Sequence, residues 1–262
     1  YCFPGIEKRY VPLNDGKNFF ERVHNQIDKH TKAIIVDHVH FLSGFKLSLK
    51  ELSELAIRHR LYLIVDGIQA VGAVNVNLKD LKIDFYSAGG MKWLLGPMGT
   101  GFLYVNQDIL DQLNIYHVGW LSAELDDLSN LYPVKPLVNS ARRFERANFN
   151  LIGLYGLIES VKTIQEIGKE EIEKIILSRT EQFMNKLEQI NCEILTPREN
   201  RNRAGIVSFR IMNGNSKQVY EKLGEENIVC SFREGWIRIA VHFFNADTEL
   251  EKVLKVIQLE AS

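Results

Sequence analysis

Leu61-Tyr62-Leu63-Ile64-Val65-Asp66-Gly67-Ile68-Gln69 is the stretch on which the reading of this chain turns. Five apolar residues in succession suit a strand buried on both faces, the kind found in parallel sheets. The run stops on an acid and a glycine, which puts Asp66 at the carboxyl end of the strand. Ligands of open α/β sheets gather at that end. Alternation along an extended chain places Asp66 and Ile68 on one side.

Upstream, Ala33-Ile34-Ile35-Val36 is a second β-branched run of the buried type. Between the two, Ser48 stands before Leu49 as an N-cap, and Glu51 completes a capping box. Leu49, Leu52, Leu55 and Ala56 then mark one face of a helix reaching about His59. Strand, helix, strand with short connections implies a right-handed crossover and a layered α/β domain. Asp84–Ser87 and Gly101–Val105 read as further strands of the same sheet.

From about Asn148 the texture changes. Leu151–Ile167 and Glu170–Ile190 are long helical patterns. Strand Ile206–Ile211, helix Lys217–Gly224, strands Ile228–Ser231 and Trp236–Val241, and a closing helix Asp247–Leu259 follow. The expected organisation is a large α/β domain over residues 1–147 and a smaller α+β domain over 148–262. Ser122–Asn150, polar and weakly periodic, reads as a loop excursion over the surface or onto a partner subunit.

The second chemical feature is Ser87-Ala88-Gly89-Gly90-Met91-Lys92-Trp93-Leu94-Leu95-Gly96-Pro97. A lysine on a loop is ordinarily a solvated surface residue. Here Gly89 and Gly90 allow positive φ and close backbone approach, and Trp93-Leu94-Leu95 anchors the far side. A lysine positioned in this way and partly desolvated becomes a better nucleophile. An acid at the end of one strand and a lysine after the next is what pyridoxal phosphate (PLP) chemistry needs. The lysine supplies the amine of a Schiff base, and the acid keeps the pyridine nitrogen protonated. Ile68 is placed to pack on the ring, and Gln69 to donate to the ring hydroxyl.

Bulk properties are permissive. A formal net charge of −1 gives no electrostatic reason to expect nucleic acid or an anionic membrane as partner. No apolar run approaches the roughly 18 residues of a membrane span. Cys2, Cys192 and Cys230 lie far apart without ligand spacing, so neither a metal site nor a disulfide framework is expected. That usage fits a reducing, cytoplasmic compartment, with the thiols as buried apolar groups. The opening Tyr1-Cys2-Phe3-Pro4 carries neither an initiator Met nor a signal segment, so the chain reads as part of a longer polypeptide.

These residues together resemble the class V branch of PLP-dependent aminotransferases, which includes cysteine desulfurases, isopenicillin epimerases and kynureninase-like enzymes. The likeness runs through His38-Val39 to Ser43-Gly44, Asp66–Gly72, Met91–Gly101, Arg142-Arg143-Phe144-Glu145 and Ile237–Asn245. It implies the fold type I architecture, a mostly parallel large domain, present in part, with a small C-terminal α+β domain, and a homodimer with sites at the subunit interface. It assigns Lys92 as the Schiff-base lysine, Asp66 as the partner of the pyridine nitrogen, Gln69 as the contact to the ring oxygen and Arg238 as the clamp on an amino acid carboxylate. A planar guanidinium fork suits that last role.

Departures from the family pattern are also visible. Met91 stands where most relatives have a histidine, and Gly89 where many have a serine. Ala147-Asn148 replaces a Gly-Thr pair whose threonine reaches the phosphate across a dimer interface, leaving Asn148 as the cofactor donor. Phe41 occupies the place of an asparagine near the ring in desulfurases. The resemblance further implies an upstream segment holding the phosphate turn and a stacking aromatic. Cys230-Ser231-Phe232-Arg233-Glu234-Gly235-Trp236 runs almost directly from strand to strand, without the mobile loop that carries a desulfurase's nucleophilic cysteine. Transaminase, epimerase or lyase chemistry on an amino acid is therefore expected, with cysteine desulfurase as an alternative. A cofactor-free fragment acting as a structural or interaction module is the alternative from another class.

Overall fold

The structure is a computed structural model that describes residues 5–13, 16, 18–124, 135–212 and 214–261. Cys2 and residues 125–134 of the expected loop excursion lie outside the described residues. After a short helix, α1 (Phe19–Asn25), the chain builds β1 (Ala33–Asp37), α2 (Leu49–His59) and β2 (Tyr62–Asp66). β1 and β2 are parallel, with Asp37 opposite Asp66. The Ser48 hydroxyl accepts from the Glu51 amide at 3.3 Å, the cap expected from the sequence. α2 lays Leu49, Leu52, Leu55 and Ala56 against the sheet, each buried leucine contributing roughly 1.5–3 kcal/mol.

β3 (Phe85–Gly89) adds in parallel to β2, and β4 (Gly101–Val105) adds antiparallel to β3. The sheet order is β1-β2-β3-β4, so it is mostly parallel, as an α/β layer requires. Asp84 sits just before β3 rather than within it. It is buried, and its Oδ2 accepts the Leu63 amide at 2.7 Å, tying the start of β3 to the middle of β2.

α3 (Leu151–Ile167) and α4 (Lys169–Gln189) follow, then β5 (Cys192–Ile194), β6 (Ile206–Ile211), α5 (Ser216–Glu225), β7 (Ser231–Arg233), β8 (Trp236–Ala240) and α6 (Asp247–Ala261). These strands form a second, antiparallel sheet of order β5-β6-β8-β7. Its core gathers Phe183, Leu187, Phe209, Ile237, Val241 and Ile257. The strand expected at Ile228–Ser231 is displaced to Ser231–Arg233. Pairing begins only where Ser231 meets Arg238, because the Glu234-Gly235 turn sets the register of the hairpin. Cys230 therefore precedes the strand instead of belonging to it. α3 and α4 join the two cores through Ile164, Ile172 and Ile176, which pack with Trp93, Leu94 and Ile206. Among the described residues no helix is long and apolar enough to cross a membrane.

Candidate active site

The carboxyl ends of β1, β2 and β3 face the β7–β8 hairpin across a cavity of about 450 Å3. Its walls are Asp37, Val39, Phe41, Asp66, Ile68, Gln69, Lys92, Arg233 and Arg238. A cleft of this size falls within the roughly 300–1,000 Å3 typical of small-molecule sites. Lys92, Asp66, Ile68, Gln69 and Arg238, separated by up to 172 positions, are thus gathered on one space.

Each is held by its own element. Asp66 ends β2, and its Oδ1 accepts the Ile68 amide at 2.8 Å, a turn that fixes the carboxylate and brings Ile68 to the same wall. Gln69 is buried, and its Oε1 accepts from the Trp93 indole at 2.9 Å. With the oxygen committed, the NH2 end is the donor Gln69 has for the cavity. Trp93 stacks on His242 with ring centroids 5.1 Å apart, and the His242 Nε2 lies 3.1 Å from the Trp93 carbonyl.

The lysine loop is closed by its own backbone. Gly90 N donates to Thr100 O and Gly96 N to Gly90 O, each at 2.8 Å, while Leu95 N donates to Lys92 O at 3.0 Å. Neither Gly89 nor Gly90 has the positive φ expected of it; Leu95 takes the left-handed turn, at φ 57. The glycines serve close approach instead. A Cβ on Gly90 would lie 2.5 Å from Thr100 Oγ1, and one on Gly89 3.3 Å from Ile68 Cδ1. Trp93 and Leu94 are buried as anchors, whereas Leu95 is exposed.

Electrostatics favour a reactive amine. Partial burial lowers the Lys92 pKa, and the nearby Arg238 charge lowers it further. Arg238 is itself pushed down by burial and by Arg233, and its Nε is buried without a partner among the described residues. Arg238 thus lines the cavity with a guanidinium short of an acceptor, a group suited to an anion.

Asn148 is not brought into this cavity; it is exposed on the segment before α3. Two wall residues are not evident from the sequence. Asp37 is a lone acid at a strand end, and Arg233 a lone base beside a two-residue turn; both settings default to solvent. The one sequence signal for Asp37 is its place one strand over from Asp66 in a parallel pair. Among the described residues no group of three or more His, Cys, Asp or Glu side chains converges as a metal site.

The donor set fits PLP at the ring and aldehyde end: a depressed amine, a turn-fixed carboxylate, an amide donor and a branched aliphatic wall, with Gly89 leaving room at Ile68.

Comparison with known proteins agrees. Residues 3–236 match the sequence profile described as aminotransferase class-V. A probable cysteine desulfurase of Pyrococcus abyssi is 28% identical over 267 residues, covering 97% of this chain and 66% of that protein. Two further curated relatives are spanned to 64% and 65% of their length. The apo cysteine desulfurase from Thermococcus onnurineus NA1 superposes with a TM-score of 0.84 at 25% identity, covering 96% of this chain and 65% of that one. The cystine C–S lyase C-DES, in complex with its product cysteine persulfide, gives a TM-score of 0.86 at 25% identity, covering 95% and 68%. With the match running over most of its length, the chain belongs to the class-V aminotransferase family, a family of PLP enzymes.

Proposed function

We propose that this chain carries the active site of a PLP-dependent enzyme that breaks the Cβ–S bond of a sulfur-containing amino acid. The observation that carries the reading is the convergence of Lys92, Asp66, Gln69 and Arg238 on one cavity. The sulfur substrate is supported by the relatives described as cysteine desulfurase and cystine C–S lyase.

When bound, PLP supplies an aldehyde that joins to amines and a pyridinium ring that draws electrons from Cα. Asp66 holds the proton at the ring nitrogen, Gln69 donates to the ring oxygen, and Ile68 packs on the ring face. Arg238 fixes the substrate carboxylate and so sets which Cα bond stands ready to break. Lys92, unprotonated more often than a free lysine, takes the Cα proton and can return it.

Sulfur is expected to leave as a small molecule rather than on Cys230. That thiol is half-buried, its pKa is pushed up to about 11 by burial, and it packs against the core of the second sheet. A thiolate acceptor needs the opposite environment. We also read the protein as a homodimer. Met91, Leu95 and Met98 of the lysine loop and Ile152 and Tyr155 of α3 leave an exposed apolar surface beside the site. Asn148 is exposed two residues before Asn150, whose side chain donates to the Met98 carbonyl at 3.4 Å, and a partner's cavity is the place for its amide to act.

The test is borohydride reduction of the chain incubated with PLP, followed by peptide mass spectrometry. The adduct is expected on the peptide containing Lys92 and is expected to be lost completely in Lys92→Ala. Wild-type chain without an adduct would sink the enzyme reading and leave the cofactor-free interaction module in its place.

A further inference from the structure

Gln69 ends in an amide, and a half-turn about its last bond exchanges the oxygen for the NH2 group with almost no change of shape. A donor aimed at the cavity therefore has to be selected from outside the cavity. The indole of Trp93 makes that selection. An indole N–H can only donate, so its 2.9 Å bond takes the Gln69 oxygen and leaves the NH2 group for the other side. Whatever holds the indole also holds the amide.

His242, the second residue after β8, holds the indole. The Phe243 amide donates to its Nδ1 at 2.9 Å, so that nitrogen carries no proton. The proton sits on Nε2, which donates to the Trp93 carbonyl at 3.1 Å. The same ring stacks on the indole, with centroids 5.1 Å apart and 28° between the planes. One buried side chain of the second domain thus fixes both the backbone and the ring of the residue that follows Lys92. His242 is itself braced. Its amide donates to Asn245 Oδ1 at 2.8 Å. The Phe243 carbonyl accepts from Arg179 on α4, which pairs at 3.4 Å with Asp247 at the start of α6. Of the three residues in line, Gln69 alone lines the cavity. We propose that His242 is a positioning residue for the cofactor: through Trp93 it locks the Gln69 amide with its NH2 group toward the ring oxygen of PLP. The proposal deepens the PLP reading above and rests on it.

The test is a pH titration of the visible absorbance of the PLP-loaded chain without substrate. A donor to the ring oxygen favours its anionic form, so the proton shared at that end of PLP leaves at lower pH when the donor is in place. Gln69→Leu is expected to raise the midpoint, by about fivefold in proton affinity, the worth of one neutral hydrogen bond. Trp93→Phe keeps a stacking ring and removes only the N–H. It should raise the midpoint by about threefold and add nothing in the Gln69→Leu background. His242→Leu should match Trp93→Phe, and His242→Gln, which keeps a donor for the Trp93 carbonyl, should recover part of the shift. A residue that merely supports the fold would lower stability without moving this midpoint. Trp93→Phe or His242→Leu chain that loads PLP and titrates like wild type would overturn the proposal. So would a Trp93→Phe shift that persists in full beside Gln69→Leu, or a Gln69→Leu chain that titrates like wild type. Should His242→Leu fail to fold, Trp93→Phe and the double variant decide. Wild-type chain with no visible band and no adduct on Lys92 is a different failure, of the PLP reading itself.

Discussion

The loop that carries Lys92 and the hairpin that carries Arg233 and Arg238 face one cavity but are held in opposite ways. The loop is wedged at its Trp93 anchor. Trp93 is seated between Gly72, where a Cβ would come 2.1 Å from the Trp93 carbonyl, and Gly205, where one would come 2.3 Å from the indole. The hairpin is a two-residue turn at the edge of the second sheet, and a Cβ on Gly235 at its tip would meet nothing within 4 Å. On the PLP reading proposed above, the reacting amine is anchored in a close-packed floor, while Arg233 on the edge strand β7 and Arg238 on the neighbouring inner strand β8 face it from the hairpin. A positioning error of about 1 Å matters more to the former than to the latter.

Two glycines turn that contrast into a measurement. Gly72 and Gly235 both have positive φ, 99 and 83, so alanine meets comparable backbone strain at each. Only Gly72 adds a collision with backbone, and backbone cannot rotate away. Gly72→Ala is expected to cost about 3–4 kcal/mol, combining left-handed strain with forced overpacking. Urea unfolding followed by tryptophan fluorescence reads the loss, and Lys92 trapping should fall with it. A cost near that of Gly235→Ala would mean the loop is not wedged.

Acid should loosen the floor next. His38 is buried, its Nδ1 lies 3.0 Å from the Tyr86 hydroxyl, and the Tyr86 ring packs under Gly67, the residue after Asp66. Burial drives the His38 pKa from 6.5 down to about 3. The folded value lies below the unfolded one, so the neutral ring's contribution is fully present above pH 6.5 and is lost as pH falls toward 3. Stability is expected to drop by about 2–3 kcal/mol between pH 7 and pH 4 from this group. His242, also lowered by burial, adds in the same direction. Urea midpoints measured across that range should show a shallower slope in His38→Gln. An unchanged slope would remove His38 as the cause. The hairpin strands β7 and β8 contain no histidine and contribute nothing to this window.

The same contrast explains what is legible in the sequence. Buried β-branched runs and the Ser48 cap are local signals, and the first sheet and α2 follow from them. Lys92 and Asp66 stand out because glycines and apolar anchors surround them, which is how a wedged site is written. β5 is three residues long and escapes a sequence reading because so short a run carries no period. The Gln69–Trp93 bond joins positions 24 apart through packing, which no spacing rule encodes. The sequence suggests both positive φ and close approach at Gly89 and Gly90; only close approach is used, and which of the two it is depends on Thr100 and Ile68 across the fold. Asp37 and Arg233 stay hidden because a single charge at a strand end or turn is written like any solvated residue.

The smallest effect is the sharpest check on the hairpin. Gly235→Ala meets no neighbour, so its cost should be that of left-handed strain alone, about 1 kcal/mol. Reductive trapping of PLP on Lys92 should be unchanged, because no hydrogen bond of the lysine loop reaches the turn. Affinity for amino acid ligands should shift instead, because the turn sets the pairing of Arg233 with Trp236 and so the aim of the hairpin. A variant with altered trapping but unaltered ligand affinity would mean the hairpin braces the lysine rather than reading the substrate, and the division of labour between the two regions would have to be reversed.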